Sequence, residues 1–255
     1  MPSQAFDLFI ASAFFHIISC TKLGPGTYWN DPASYNTIPP NSRAIINPND
    51  GITRATQQDV ANFGRIINSI KSKIPTAKLL GYVPTGYGNR SKQSYSTIQK
   101  QIQAYFGNYS KLDWIFFDEI GATCNEAKND IPQFRKFAKS VKSDAMITLN
   151  PGWVCDNWCY INYTQDEDIM DFESNFNEYK STTAKSDLNT AKNIARNRGV
   201  KTWHVIYGVP NENEMETTVN MAKQFGADYV YVAENNHYDA PPSYWATEKK
   251  VVGGD

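Results

Sequence analysis

Long runs of like charge are missing from this sequence. Its 25 Lys and Arg stand against 26 Asp and Glu, a net charge of −1, so a nucleic acid or membrane surface finds no electrostatic partner here. No CxxC pair and no Cys/His cluster occurs, which removes the usual signatures of a bound metal. The three histidines, His16, His204 and His237, share no metal spacing and read as structural. A G-x-G-x-x-G or P-loop after an early strand is absent, as is a G-x-S-x-G elbow, so neither a nucleotide cofactor nor a serine hydrolase is expected. No cofactor of any kind is called for. No apolar run is long enough for a confident transmembrane span, and no low-complexity linker divides the chain.

Residues 1–255 therefore read as one domain, with residues 1–15 either a leader or a tail. The apolar stretch from Phe6 to Ile18 has the length of a signal core, but no Lys or Arg precedes it and Asp7 interrupts it. Three N-x-S/T triplets, at Asn89, Asn108 and Asn162, and a Cys155–Cys159 pair close enough to bridge point outward to a secreted or cell-surface protein.

Short β-branched and aromatic runs alternate with segments whose apolar residues recur every three or four positions. Eight strand candidates result, near residue 16 and beginning at Arg43, Ala77, Leu112, Ala145, Asp168, Val200 and Ala227. The stripes between them include Val60, Phe63, Ile67, Ile70 and Ile74, then Ile98, Ile102 and Tyr105, then Phe134, Phe137 and Val141. Two later stripes stop at Gly199 and Gly226, where helices should end. Eight βα units predict an α/β fold, a single (β/α)₈ TIM-type barrel.

Active sites of such barrels gather at the C-terminal ends of the strands, and these ends are polar here. They carry Asn47, then Tyr82, Thr85 and Tyr87, then Asp118 and Glu119, Asn150, Asp171 and Glu173, Tyr207, and Glu234 with Asn235. Alternation lets one of Asp118 and Glu119 face the axis while the other leans into the loop, and it puts Asp171 and Glu173 on a common face. Acids from two strands can then meet one bond, the requirement of glycoside hydrolysis. An acid at a strand end can also cap a helix or pair with an arginine such as Arg43 or Arg90. Asn150, in the turn Asn-Pro-Gly, can aim at a sugar hydroxyl. Trp153, Trp158, Tyr28 and Trp29 lie in rim loops where rings could stack on sugars.

The segments PGTYWN at Pro25, INPN at Ile46, LLGYVPTGYG at Leu79, DWIFFDE at Asp113, LNPG at Leu149 and DFE at Asp171 together resemble the spherulin 4-like proteins, the spherulation-specific family 4 glycoside hydrolases. The likeness runs from about residue 17 to about residue 180 and departs after INPN, where the chain reads DGITR in place of the family's glycine-rich loop. It implies a barrel glycosidase, secreted in many members, with fungal relatives acting within an α-1,4-linked, galactosamine-containing exopolysaccharide. It places the family's acidic trio on Asp118, Glu119 and Glu173; the polar strand ends and rim loops, independently of the resemblance, offer Asn47, Tyr82, Thr85, Tyr87, Asn150, Trp153, Tyr207 and Glu234 as substrate contacts. The expected activity is endo-acting and retaining hydrolysis of an amino-sugar polysaccharide. Asp118 is read as nucleophile and Glu173 as acid and base, an assignment that could be reversed, while Glu119 holds the sugar or tunes the pair. The alternative is a carbohydrate-binding or spore-coat protein that keeps the barrel without turnover.

Overall fold

The computed structural model describes residues 34–121, 123–152, 168–236 and 240–253. Within them, strands β1 (Arg43–Ile46), β2 (Lys78–Pro84), β3 (Trp114–Asp118), β4 (Ile147–Leu149), β5 (Asp168–Asn175), β6 (Lys201–Tyr207) and β7 (Tyr229–Val232) form one sheet, parallel throughout and in chain order. Seven of the eight anticipated strands are these; the candidate near residue 16 lies outside the described residues.

Contacts across the sheet show how it curls. Arg43 on β1 donates to Asp168 on β5 at 2.9 Å, although the two strands stand four apart in strand order. Its guanidinium also sits 4.3 Å from the Trp114 ring of β3 and 4.5 Å from the Tyr229 ring of β7. A flat sheet cannot bring β1, β3, β5 and β7 to one point. The architecture is the TIM-type α/β barrel, nearly closed by the seven parallel strands of the described residues, with Arg43 at its axis near the strands' N-terminal end.

Helices α1 (Gln57–Lys73), α2 (Tyr95–Asn108), α3 (Cys124–Val141), α4 (Phe176–Tyr179), α5 (Thr182–Arg198), α6 (Glu212–Gln224) and α7 (Trp245–Gly253) accompany the strands. Thr56 and Thr123 each close a capping box, with Asp59 and Glu126, at the start of α1 and α3. Gly199 ends α5 in the left-handed conformation at φ 68°, as its place after the apolar stripe predicts. The outward strand residues pack under this layer: Phe117 stacks on Phe134 of α3 at 4.7 Å, and Phe172 meets Tyr179 of α4 edge-on at 4.8 Å. Each such ring, fully buried, contributes about 1.5–3 kcal/mol. No apolar stripe signals the four-residue α4.

Candidate active site

Strand β3 delivers the first two acids. Phe116 faces the axis, 6.2 Å from Trp203, and Phe117 faces α3, so alternation turns Asp118 inward. The chain then leaves the strand with Glu119 at φ 54°. This left-handed step ends the alternation: Asp118 faces the axis, while Glu119 leans to the loop after β2, where its carboxylate accepts from Gly86 N–H, and still lines the same cleft. Thr85 N–H donates to the Asp118 carbonyl, while Tyr87 N–H and the Thr85 hydroxyl both donate to that of Glu119.

Asn150 joins the acids to each other. Its side-chain oxygen accepts from Gly152 N–H at 2.8 Å, which fixes which end of the amide is the donor. Both amide hydrogens are then spent on carboxylates, one on Asp118 Oδ1 at 2.7 Å and one on Glu173 Oε2 at 2.6 Å. Those two oxygens lie no farther apart than the two bonds laid end to end, about 5.3 Å. Asn150, anticipated as a contact for a sugar hydroxyl, lines the cleft and also sets the spacing of two acids.

Glu173 reaches the cleft by an irregularity in β5. Met170 pairs with Trp203, which faces the axis, but Phe172 pairs with His204, and Glu173 with Val205. Asp171 is the extra residue of a β-bulge, and Asp171 and Phe172 both turn toward the helices. Strict alternation through all four residues would have sent Glu173 outward. The anticipated common face for Asp171 and Glu173 is therefore corrected: Asp171 lies 3.3 Å from His204 Nε2 in the helix layer, while Glu173 lines the cleft.

Tyr82 is buried beneath the cleft and donates its hydroxyl to Asp118 Oδ2 at 2.7 Å. Tyr87 is displayed above it, 62% exposed, on a loop in which Gly86, Tyr87 and Gly88 all have positive φ. Gly88, at φ 74°, lies against the Glu126 side chain, so any other residue there would strain the backbone and displace that carboxylate. The cleft encloses about 390 Å³ and is lined by Tyr87, Asp118, Glu119, Asn150, Pro151, Gly152, Glu173, Tyr207 and Asn236. Four other anticipated contacts lie outside that lining. Asn47 accepts from Gly51 N–H, Thr85 and Tyr82 act from below, and Glu234 holds the Ser243 N–H and hydroxyl. Trp153, like Trp158, Tyr28 and Trp29, falls outside the described residues. Pro151, Gly152 and Asn236 were not anticipated; Asn236 directly follows the polar end of β7, which was the available signal.

The two arginines considered as partners for the acids are engaged elsewhere, Arg43 by Asp168 and Arg90 by Asp130. Burial raises the pKa of Asp118, against the opposing donors Tyr82 and Asn150. Burial, and then the charge of Asp118, raises that of Glu119. The Tyr82 phenol is pushed far up by burial and by Asp118, which keeps its proton on as a donor. A carboxyl with a raised folded-state pKa binds more protons folded than unfolded, so its ionisation erodes stability as pH rises from the ordinary Glu value of about 4.3. Glu119→Gln is accordingly expected to melt above wild type at pH 7 and together with it below about pH 4, read by calorimetry at both pH values; equal melting at pH 7 would refute this. Among the described residues no group of three or more His, Cys, Asp or Glu is placed to hold a metal, and no helix is long and apolar enough to cross a membrane.

A family model described as spherulation-specific family 4 matches residues 19–252. No curated protein sequence matches the chain. Among solved structures, Cel5A of Thermotoga maritima, in complex with cellobiose, superposes with a TM-score of 0.51 at 7% identity, over 85% of this chain and 86% of that one. The catalytic domain of a β-amylase from Paenibacillus polymyxa gives 0.49 at 11% identity over 91% and 96%. Methylaspartate ammonia lyase from Clostridium tetanomorphum gives 0.46 at 12% over 76% of this chain, which spans 46% of that enzyme. The likeness to Cel5A is one of fold.

Proposed function

The chain belongs to the spherulation-specific family 4, and on that premise we propose that it is a glycoside hydrolase, endo-acting and retaining, for a galactosamine-containing polysaccharide. The observation that carries this reading is the Asn150 amide, which holds one oxygen of Asp118 and one of Glu173 within about 5.3 Å at a single cleft. Retention uses carboxyls about 5–5.5 Å apart, whereas inversion leaves about 6.5–9.5 Å for a water.

Asp118 receives a donor on each oxygen, from Tyr82 and from Asn150. Both bonds favour the anion against the burial that raises its pKa, and they aim its oxygens at the cleft, which suits Asp118 to attack the anomeric carbon. Glu173 protonates the departing oxygen and then, as carboxylate, takes a proton from the water that releases the glycosyl enzyme. Glu119, half-buried and held by Gly86 N–H, binds the sugar. The exposed ring of Tyr87 offers a stacking face at the rim. The motif resemblance supports the amino-sugar polymer and the endo mode. Cys124 is disulfide-bonded, which supports secretion or display in an oxidising compartment.

Incubation with galactosamine-rich polysaccharide is expected to release new reducing ends, and proton NMR of the first product should show the anomer of the substrate. Binding without release would favour the alternative of a non-catalytic carbohydrate-binding barrel. Release of the opposite anomer would overturn the retaining mechanism.

A further inference from the structure

The bulge that turns Glu173 inward is itself held by a buried polar chain that the chemistry above does not use. Asp171 and His204 are each 1% exposed, with Asp171 Oδ1 3.3 Å from His204 Nε2. On its other side, His204 Nδ1 lies 2.6 Å from the Tyr179 hydroxyl. A carboxylate facing Nε2 is best met by a ring carrying its proton there, which makes Nδ1 the acceptor and Tyr179 the donor. The chain thus ties the extra residue of β5 sideways to β6 and forward to α4. Its two anchors in this stretch, residues 171 and 179, bracket Glu173.

We infer that His204 and Asp171 are positioning residues for Glu173. Asp171 Oδ1 accepts no well-aligned hydrogen bond, so this buried carboxylate is a weak contributor to stability, and an apolar side chain would fill the space at less cost. What the pair supplies is direction. With Asp171 drawn to the helix side, Phe172 stays outward beside His204, and Glu173 turns to the axis opposite Asn150. Released from His204, the strand can slip by one residue along β6 and take up strict alternation with its length unchanged, which sends Glu173 away from the cleft.

The kinetic part of this inference rests on the proposed hydrolase; the geometric part does not. His204→Leu, assayed as full-length folded protein on galactosamine-rich polysaccharide, is expected to lose about 10²–10⁴-fold in kcat, the worth of a general acid and base turned out of the cleft. KM should stay within about twofold, since the sugar contacts remain. His204→Gln, whose amide nitrogen reaches the place of Nε2, should restore most of the rate. A merely structural role would move the unfolding midpoint and leave kcat of the folded protein alone. In a crystal structure of His204→Leu, the Asn150 to Glu173 contact of 2.6 Å is expected to open beyond hydrogen-bonding distance. Unchanged kcat, or an intact contact, overturns the inference. Should the leucine variant not fold, His204→Asn, too short to reach Asp171, takes its place with the same expected loss, and wild-type kcat in it counts against the assignment. If the wild type cleaves no glycan, the hydrolase reading fails and the crystal structure alone still decides this one.

Discussion

Glutamine in place of Glu173 is expected to lower kcat on the polysaccharide by about 10²–10⁴-fold, the usual worth of a general acid and base, with the unfolding midpoint nearly unchanged. The amide oxygen introduced by Glu173→Gln can still accept from Asn150, so the cleft keeps its shape while losing its transferable proton. The division of roles is then separable with azide. In Asp118→Ala, azide entering the vacated space attacks the anomeric carbon from that face, and the glycosyl azide has inverted configuration. In Glu173→Ala, azide intercepts the covalent intermediate and the product retains configuration. The reverse pattern would exchange the two roles. Near-normal hydrolysis by Glu173→Gln would mean that the cleft holds sugar by other means and that Glu173 is a bystander.

Methionine at Arg43 is expected to cost about 3–5 kcal/mol of stability at neutral pH, the cost of stripping a buried ion of its partner. Asp168 would keep the Trp203 indole as a donor, at 3.2 Å, but not its countercharge. Burial already raises its pKa in the presence of Arg43. Removing the guanidinium raises it further, so the loss should be full above the raised value and should fade as pH falls through it toward the unfolded value of about 3.9. Urea titrations at pH 7 and at low pH read both effects. A loss under about 1 kcal/mol at pH 7 would show that the rings left around Asp168 and the vacated place, Trp203, Trp114 and Tyr229, tolerate the uncompensated charge. Arg43 opens β1 and Asp168 opens β5, at the end of the barrel away from the cleft, so kcat of the folded variant should match wild type.

The barrel was legible because seven strands announce themselves as compact aromatic and β-branched runs, and because glycines such as Gly199 stand where helices stop. The acids were legible for a related reason: charge directly after Ile115, Phe116 and Phe117 must surface at a rim. What stayed hidden depends on contacts between distant segments or on single backbone angles. No periodicity reveals that Glu119 turns left-handed, or that Asp171 and Phe172 point the same way. Asn150 reads from its turn only as a contact for a sugar hydroxyl, and its link between two acids is hidden because those partners lie 32 positions before it and 23 after it. His204 read as inert for want of a metal spacing, although its neighbours are a carboxylate and a phenol brought together by β5, β6 and α4.

The bulge on β5 also bears on heredity. Loss of the single codon for residue 171 would shorten the strand by one step, yet Phe172 would still lie under the helices and Glu173 would still face the axis, because two outward residues in a row would become one. A descendant carrying that deletion would show its acid two positions after the methionine instead of three, with the same oxygens at the same place. Aligning such genes column by column would then pair a carboxylate with a phenylalanine, and a working relative would be scored as having lost its acid.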